Sequence, residues 1–190
     1  MKQRSRKSRF QAGLQTTLFA ITLLYCVYFI NFFIPVDLRT YGIRPREIKG
    51  LWGIICSPFL HGNYEHLLAN TGALFALLLA AFTFSRKLTL TAIFIIMVVG
   101  GGLVWVFGAA NSIHIGASGV IFGLIGFLMF IGIFRREWKA LVISLVICLL
   151  YGGALLSLLS VTPGTSWSGH FFGFLSGVMA AWWTKADRAG

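Results

Sequence analysis

Ser118 sits in the cluster Gly116-Ala117-Ser118-Gly119, and His170 follows Gly169 at the start of another apolar stretch. A serine hydroxyl is a weak nucleophile until a base accepts its proton, and histidine has the pKa for that task. Acyl transfer by such a pair also needs hydrogen-bond donors aimed at the oxyanion of the tetrahedral intermediate. His66 and Asn70 are four residues apart, so one helix face carries both. Their side chains can donate, as can the Ser118 backbone N–H. No Asp or Glu lies in the apolar stretches that follow Ser118 and His170, so no third triad member is available there. Glu65 is nearby, but its offset turns it away from the His66/Asn70 face. The chemistry on offer is that of a Ser–His dyad.

Other site types do not match. Gly116-Ala-Ser118-Gly119-Val120 has Val where the Gly-x-Ser-x-Gly nucleophile elbow needs its last glycine, and no strand precedes it. Glu65-His66 does not supply the His-Glu-x-x-His of a zinc protease, and no metal is expected. Cys26, Cys56 and Cys148 have no metal spacing, and an odd count gives no disulfide framework; they read as packing residues.

The elements that must hold these residues are membrane spans. Hydrophobic residues make up 57% of the 190-residue chain and charged residues only 11%, against about 25% charged in soluble domains. A span needs about 20 apolar residues, and six segments qualify: 14–34, 67–84, 88–107, 118–134, 140–159 and 167–183. The expected fold is an all-α membrane protein, a bundle of six transmembrane helices. Residues 1–13 form a basic cytoplasmic start, 14–184 the six-span domain and 185–190 a cytoplasmic tail. The 14–34 run is too long for a signal peptide and no small-x-small cleavage site follows it. The net charge of +11 does not indicate nucleic acid, because the one basic run is short and lacks interleaved aromatics.

Charge then sets depth. With the N-terminus inside, twelve of the sixteen Lys and Arg fall on inner segments, and the other four (Arg39, Arg44, Arg46, Lys49) share the first outer loop. Spans two, four and six then run inward, so His66, Asn70, Ser118 and His170 all lie near outer ends. Four polar side chains on three spans share one layer, and intramembrane polar residues mark function by default. Gly119-Val-Ile-Phe-Gly123 and Gly173-Phe-Leu-Ser-Gly177 are small-xxx-small patterns that let spans four and six approach closely. His61 and His114 are expected at the outer rim, hydrogen-bonded to loop groups. The first outer loop, 35–63, contains the apolar stretch Gly50-Leu51-Trp52-Gly53-Ile54-Ile55-Cys56, too short to cross. Two readings stay open: a partly embedded interfacial segment, or an early start of span two.

Taken together, the chain resembles the rhomboid family of intramembrane serine proteases, in the basic six-span bacterial form. The resemblance rests on His61-Gly-Asn-Tyr-Glu-His66-Leu-Leu-Ala-Asn70, on Gly116-Ala-Ser118-Gly119, and on His170-Phe-Phe-Gly173-Phe-Leu-Ser-Gly177. It implies a rhomboid-like bundle with Ser118 as nucleophile and His170 as general base. It implies Asn70, His66 and the Ser118 N–H as the oxyanion site, supported by Gly116, Gly119 and Gly173, with no cofactor. The implied partners are the lipid bilayer and other proteins' transmembrane segments, cut near the outer leaflet beside a small residue. Three positions depart from the family pattern. Gly169 replaces the usual Ala before the sixth-span histidine. Phe122 replaces a frequent Tyr; it can stack beneath His170 but offers no hydroxyl. The Trp-Arg pair often found in the first loop is absent, and Leu51-Trp52-Gly53 does not supply it.

Water is expected to reach the site from outside through His61, His66, Asn70 and His114. Span five (140–159) and the loop 160–166, with Pro163-Gly164, are expected to form a mobile wall for substrate. A 190-residue chain without a transit peptide points to a bacterial inner membrane, with both termini cytoplasmic. The alternative function is a catalytically inactive protein that binds membrane segments without cutting them. A channel fits less well, since no polar residue lines the inner half of the spans and no inverted repeat is visible.

Overall fold

The computed structural model describes residues 2–158 and 166–186. Those residues are helical and include no strand; one isolated antiparallel bridge joins Ile43 to His114. The six principal helices are α1 (Lys2–Ile30), α2 (Tyr64–Phe82), α3 (Arg86–Phe107), α4 (Ser118–Arg135), α5 (Trp138–Leu158, its last turns 3-10) and α6 (Trp167–Trp183). Five candidate membrane spans are present: Ser8–Ile30 within α1, then α2, α3, α4 and α5. Helix α6 is also apolar but has 17 residues. At 1.5 Å per residue that is about 25 Å, short of the roughly 30 Å hydrocarbon core.

Local chemistry sets the starts. Asn63 caps α2 by accepting the His66 amide at 2.8 Å, and Ser85 caps α3 by accepting the Leu88 amide at 3.1 Å. Helix α1 begins at Lys2, because Lys, Arg and Gln favour helix and nothing breaks it before the membrane. It ends at Ile30, ahead of Pro35, rather than at residue 34.

The first loop resolves its open alternatives. Ile48–Trp52, Gly53–Cys56 and Ser57–Phe59 form a chain of short helical turns. Asn63 separates them from α2, so the apolar stretch is not an early start of span two. The loop is fastened without the Trp-Arg pair. Arg46, at φ 63°, donates from Nη1 to the carbonyls of Val106 and Gly108 at 2.8 and 2.9 Å. Trp105 donates from Nε1 to the Glu47 carbonyl at 2.8 Å. The last carbonyls of α3, which helix geometry leaves without partners, thus hold the loop.

Helix α4 is the axis of the bundle. Leu124, Ile125, Phe127, Leu128 and Ile131 are buried, together with Leu67 and Leu77 of α2 and Ala180 and Ala181 of α6. The seam between α4 and α6 is backbone on backbone. A Cβ at Gly173 would strike the Gly119 carbonyl, one at Gly177 the Gly123 carbonyl, and one at Gly126 the Phe174 carbonyl. Buried Ser176 donates to the Gly173 carbonyl at 2.6 Å and faces the π-helical turn Ile96–Gly100 of α3. Helix α5 is attached to α4 through Ser144, which donates to the Leu128 carbonyl at 2.7 Å and accepts the Gly132 amide at 3.1 Å. The wall proposed from residues 160–166 lies outside the described residues except for Ser166. Cys26 and Cys148 are exposed on the bundle's outer surface, so neither is a packing residue there.

A Cβ at Gly177 has no room, whereas one at Gly72 meets nothing within 4 Å. Gly177→Ala is expected to cost about 1–3 kcal/mol through overpacking, while Gly72→Ala is neutral or stabilises by up to about 1 kcal/mol. Thermal unfolding in detergent compares the two directly.

Candidate active site

Ser118 is the first residue of α4, and His170 lies in the first turn of α6. No side chain caps α4, and the amides of Ser118, Gly119 and Val120 have no acceptor among the described residues. A helix N-terminus of this kind presents free N–H groups and a positive dipole end. The turn that aims it depends on Gly116. Its φ of +109° suits glycine, and its amide donates to the Ser57 carbonyl at 2.8 Å. A Cβ there would stand 2.7 Å from the His66 ring, so the missing side chain makes room for that imidazole.

His66, Asn70, Ser118, Phe122 and His170 line one cavity, with His114 and Ser166 at its edge. The i, i+4 spacing does what helical geometry requires: His66 and Asn70 face the same space. Asn70 is 6% exposed, yet its Nδ2 has no hydrogen-bond partner. Buried donors are normally satisfied, so this amide is a donor in want of an acceptor. Phe122, one turn below Ser118, stacks on the His170 ring at 4.2 Å between centroids and 11° between planes. Ser118 and His170 share the cavity without a direct hydrogen bond between their side chains among those described. Catalytic hydrogen bonds are often long before substrate binds. Ser118 also borders a second, mostly apolar pocket lined by Ile43, Ile54, Met97 and Val104.

His61 departs from the expectation of an outer rim, whereas His114 is half-buried and bonds loop groups. His61 is buried at 4% exposure and packs edge-on to His66, with ring centroids 5.2 Å apart. Burial, with His66 beside it, pushes its pKa down to about 4. The neutral ring accepts the Ala117 amide at 3.5 Å, which steadies the residue before Ser118. His61 lies two residues before Asn63, the N-cap of α2, and so close to that helix start its ring packs on His66. His114 does bond a loop group, Ser112, but its other ring nitrogen reaches Ser166, the N-cap of α6. Sequence reasoning missed both Ser57 and Ser166. The available signal for Ser166 was its place four residues before His170, as His114 stands four before Ser118. The described residues hold no cluster of three or more metal-ligating side chains.

Residues 49–186 match the family model described as Rhomboid domain. An uncharacterized protein of Mycobacterium tuberculosis is 40% identical over 196 residues, spanning 98% of this chain and 81% of that one. An uncharacterized protein of Mycobacterium leprae is 38% identical over 195 residues, 97% of this chain and 76% of that one. YdcA of Bacillus subtilis, named as a candidate rhomboid protease, is 31% identical over 134 residues, 67% of this chain and 64% of that one.

Gly116→Ala combines an unfavourable positive φ with a collision against His66. It is expected to lower stability by about 1–3 kcal/mol, read as an earlier unfolding midpoint. His66→Ala in the same chain, by opening space, should recover part of that loss.

Proposed function

The chain belongs to the rhomboid family, and from that premise we propose that it is an intramembrane serine endopeptidase. The observation that carries the reading is the shared cavity of Ser118, His170, His66 and Asn70, in which the buried Asn70 amide has no partner. Ser118 Oγ attacks the scissile carbonyl while His170 takes its proton. The oxyanion is held by the Asn70 side chain, the His66 ring N–H and the Ser118 amide, donors that need no reorganisation as charge develops. His170 then protonates the leaving amine, and an acyl-enzyme forms on Ser118. Water, activated by His170, releases the second product. Stacking on Phe122 keeps the imidazole plane fixed through these transfers.

The substrates of this reading are transmembrane segments of other membrane proteins, cut near the outer leaflet. The apolar pocket on the far side of Ser118 suits a small side chain beside the scissile bond. The topology that goes with it has six spans, both termini cytoplasmic and a bacterial inner membrane as location. The Lys and Arg distribution supports the orientation of the termini.

Cleavage of a model transmembrane substrate, and labelling by a fluorophosphonate, test the reading. Both should be abolished in Ser118→Ala and in His170→Ala. Asn70→Ala should lower kcat by about 10²- to 10³-fold, the usual cost of one oxyanion donor. Folded wild-type protein that neither cleaves nor labels would favour the inactive membrane-segment binder instead.

A further inference from the structure

His114 lies four residues before Ser118, and Ser166 lies four residues before His170. Their side chains meet across 52 positions of sequence: His114 Nδ1 is 2.7 Å from Ser166 Oγ. On its other side, His114 Nε2 is 2.8 Å from Ser112 Oγ. Proton counting fixes the direction of every bond. The Ser112 hydroxyl donates to the Ala109 carbonyl at 2.6 Å, so only its lone pairs face the ring and Nε2 carries a proton. A neutral imidazole then has a lone pair on Nδ1, which accepts the Ser166 hydroxyl proton. Ser166 Oγ keeps lone pairs and accepts the Gly169 amide at 3.2 Å. The chain runs from the Gly169 amide through Ser166, His114 and Ser112 to the Ala109 carbonyl, one donor to one acceptor at each step. Burial lowers the His114 pKa, which favours the neutral ring that this pattern requires.

Both ends are anchored. The His114 backbone pairs with Ile43 in both directions, at 3.0 and 2.9 Å. Ser166 holds the first turn of α6 twice, with its side chain at Gly169 and with its carbonyl at the His170 amide, 3.0 Å away. The seam of glycines fixes the spacing of α4 and α6 deeper in the bundle. At the level of the chemistry, the His114–Ser166 bond ties the segment that leads into Ser118 to the turn that carries His170.

We propose that His114 is a positioning residue for His170: through Ser166 it sets the distance and aim of the base relative to Ser118. The inference rests on the protease reading above. It does not make His114 a catalytic residue, because the ring's two nitrogens are already committed to serines. Its effect falls on the alignment of the reacting pair, and misplacement by about 1 Å from a distant change costs on the order of 10²-fold in rate.

The test is a set of purified, folded variants assayed on one transmembrane substrate, with thermal unfolding used to normalise each rate to folded protein. His114→Phe keeps the ring and removes both links. It should lower kcat about 10- to 100-fold while KM stays within about twofold, as expected for an interaction made in the transition state. His114→Asn presents Oδ1 where Nδ1 stood, keeps the Ser166 link and should recover most of the loss. Ser166→Ala should fall comparably, and adding His114→Phe to it should cost less than about twofold more, since coupled residues are not additive. The proposal is overturned if folded His114→Phe turns over within about twofold of wild type, if His114→Asn is no better than His114→Phe, or if the two single losses multiply. Wild type and Ser118→Ala are run alongside. An active wild type with a dead Ser118→Ala isolates a failure to the His114 inference, whereas an inactive wild type overturns the protease reading and this inference with it.

Discussion

Everything in this bundle depends on how closely α4 and α6 approach. Gly119 and Gly126 on one helix, and Gly173 and Gly177 on the other, allow carbonyl oxygens to pack where side chains would otherwise stand. In a bilayer no hydrophobic gain drives helices together, because lipid tails are as apolar as leucine. Dispersion over a tight backbone seam has to do it. That seam makes α4 the buried axis, and it brings the first turns of both helices to one end of the bundle. Ser118 and His170 share a cavity because the backbones behind them touch.

A second constraint is the cost of polar groups at membrane depth. A buried donor or acceptor without a partner is expensive, and most polar groups here are satisfied. His61 accepts the Ala117 amide, Ser57 accepts the Gly116 amide, and Ser144 and Ser176 bond helix carbonyls. Among the open donors, the Asn70 Nδ2 lines the cavity and the first amides of α4 stand at Ser118, while the Nδ1 of buried His61 is open as well. Open donors in the cavity are what the proposed oxyanion site calls for.

The first loop belongs to the same scheme. Its short helices cover the α3 side of the site, and Arg46 and Trp105 pin it to the end of α3. Ser57 and His61 then reach the two residues that precede Ser118. The turn before Ser118 is therefore shaped by residues some sixty positions earlier, through the backbone carbonyl of Ser57 and the ring of His61.

Much of the helical layout was legible in the sequence. Apolar length marked the helices, and the His66–Asn70 spacing put two of the polar residues on one helix face, because periodicity and hydropathy are local properties. What misled was also physical. Nothing in the basic start marked where α1 begins, because Lys and Arg are good helix formers and α1 takes them in. Cysteines in apolar runs read as packing, yet in a membrane protein an apolar run faces lipid as readily as core, and Cys26 and Cys148 do. The sequence by itself determined where the apolar helices run and which polar side chains stand near their starts, since both follow from residue type and order along the chain. Only the tertiary structure decided which helix faces meet, that Phe122 lies flat on His170, that His61 is buried, and that His114 reaches Ser166. Those contacts join residues tens of positions apart, and they are selected by the shape of the packed helices, not by any local pattern.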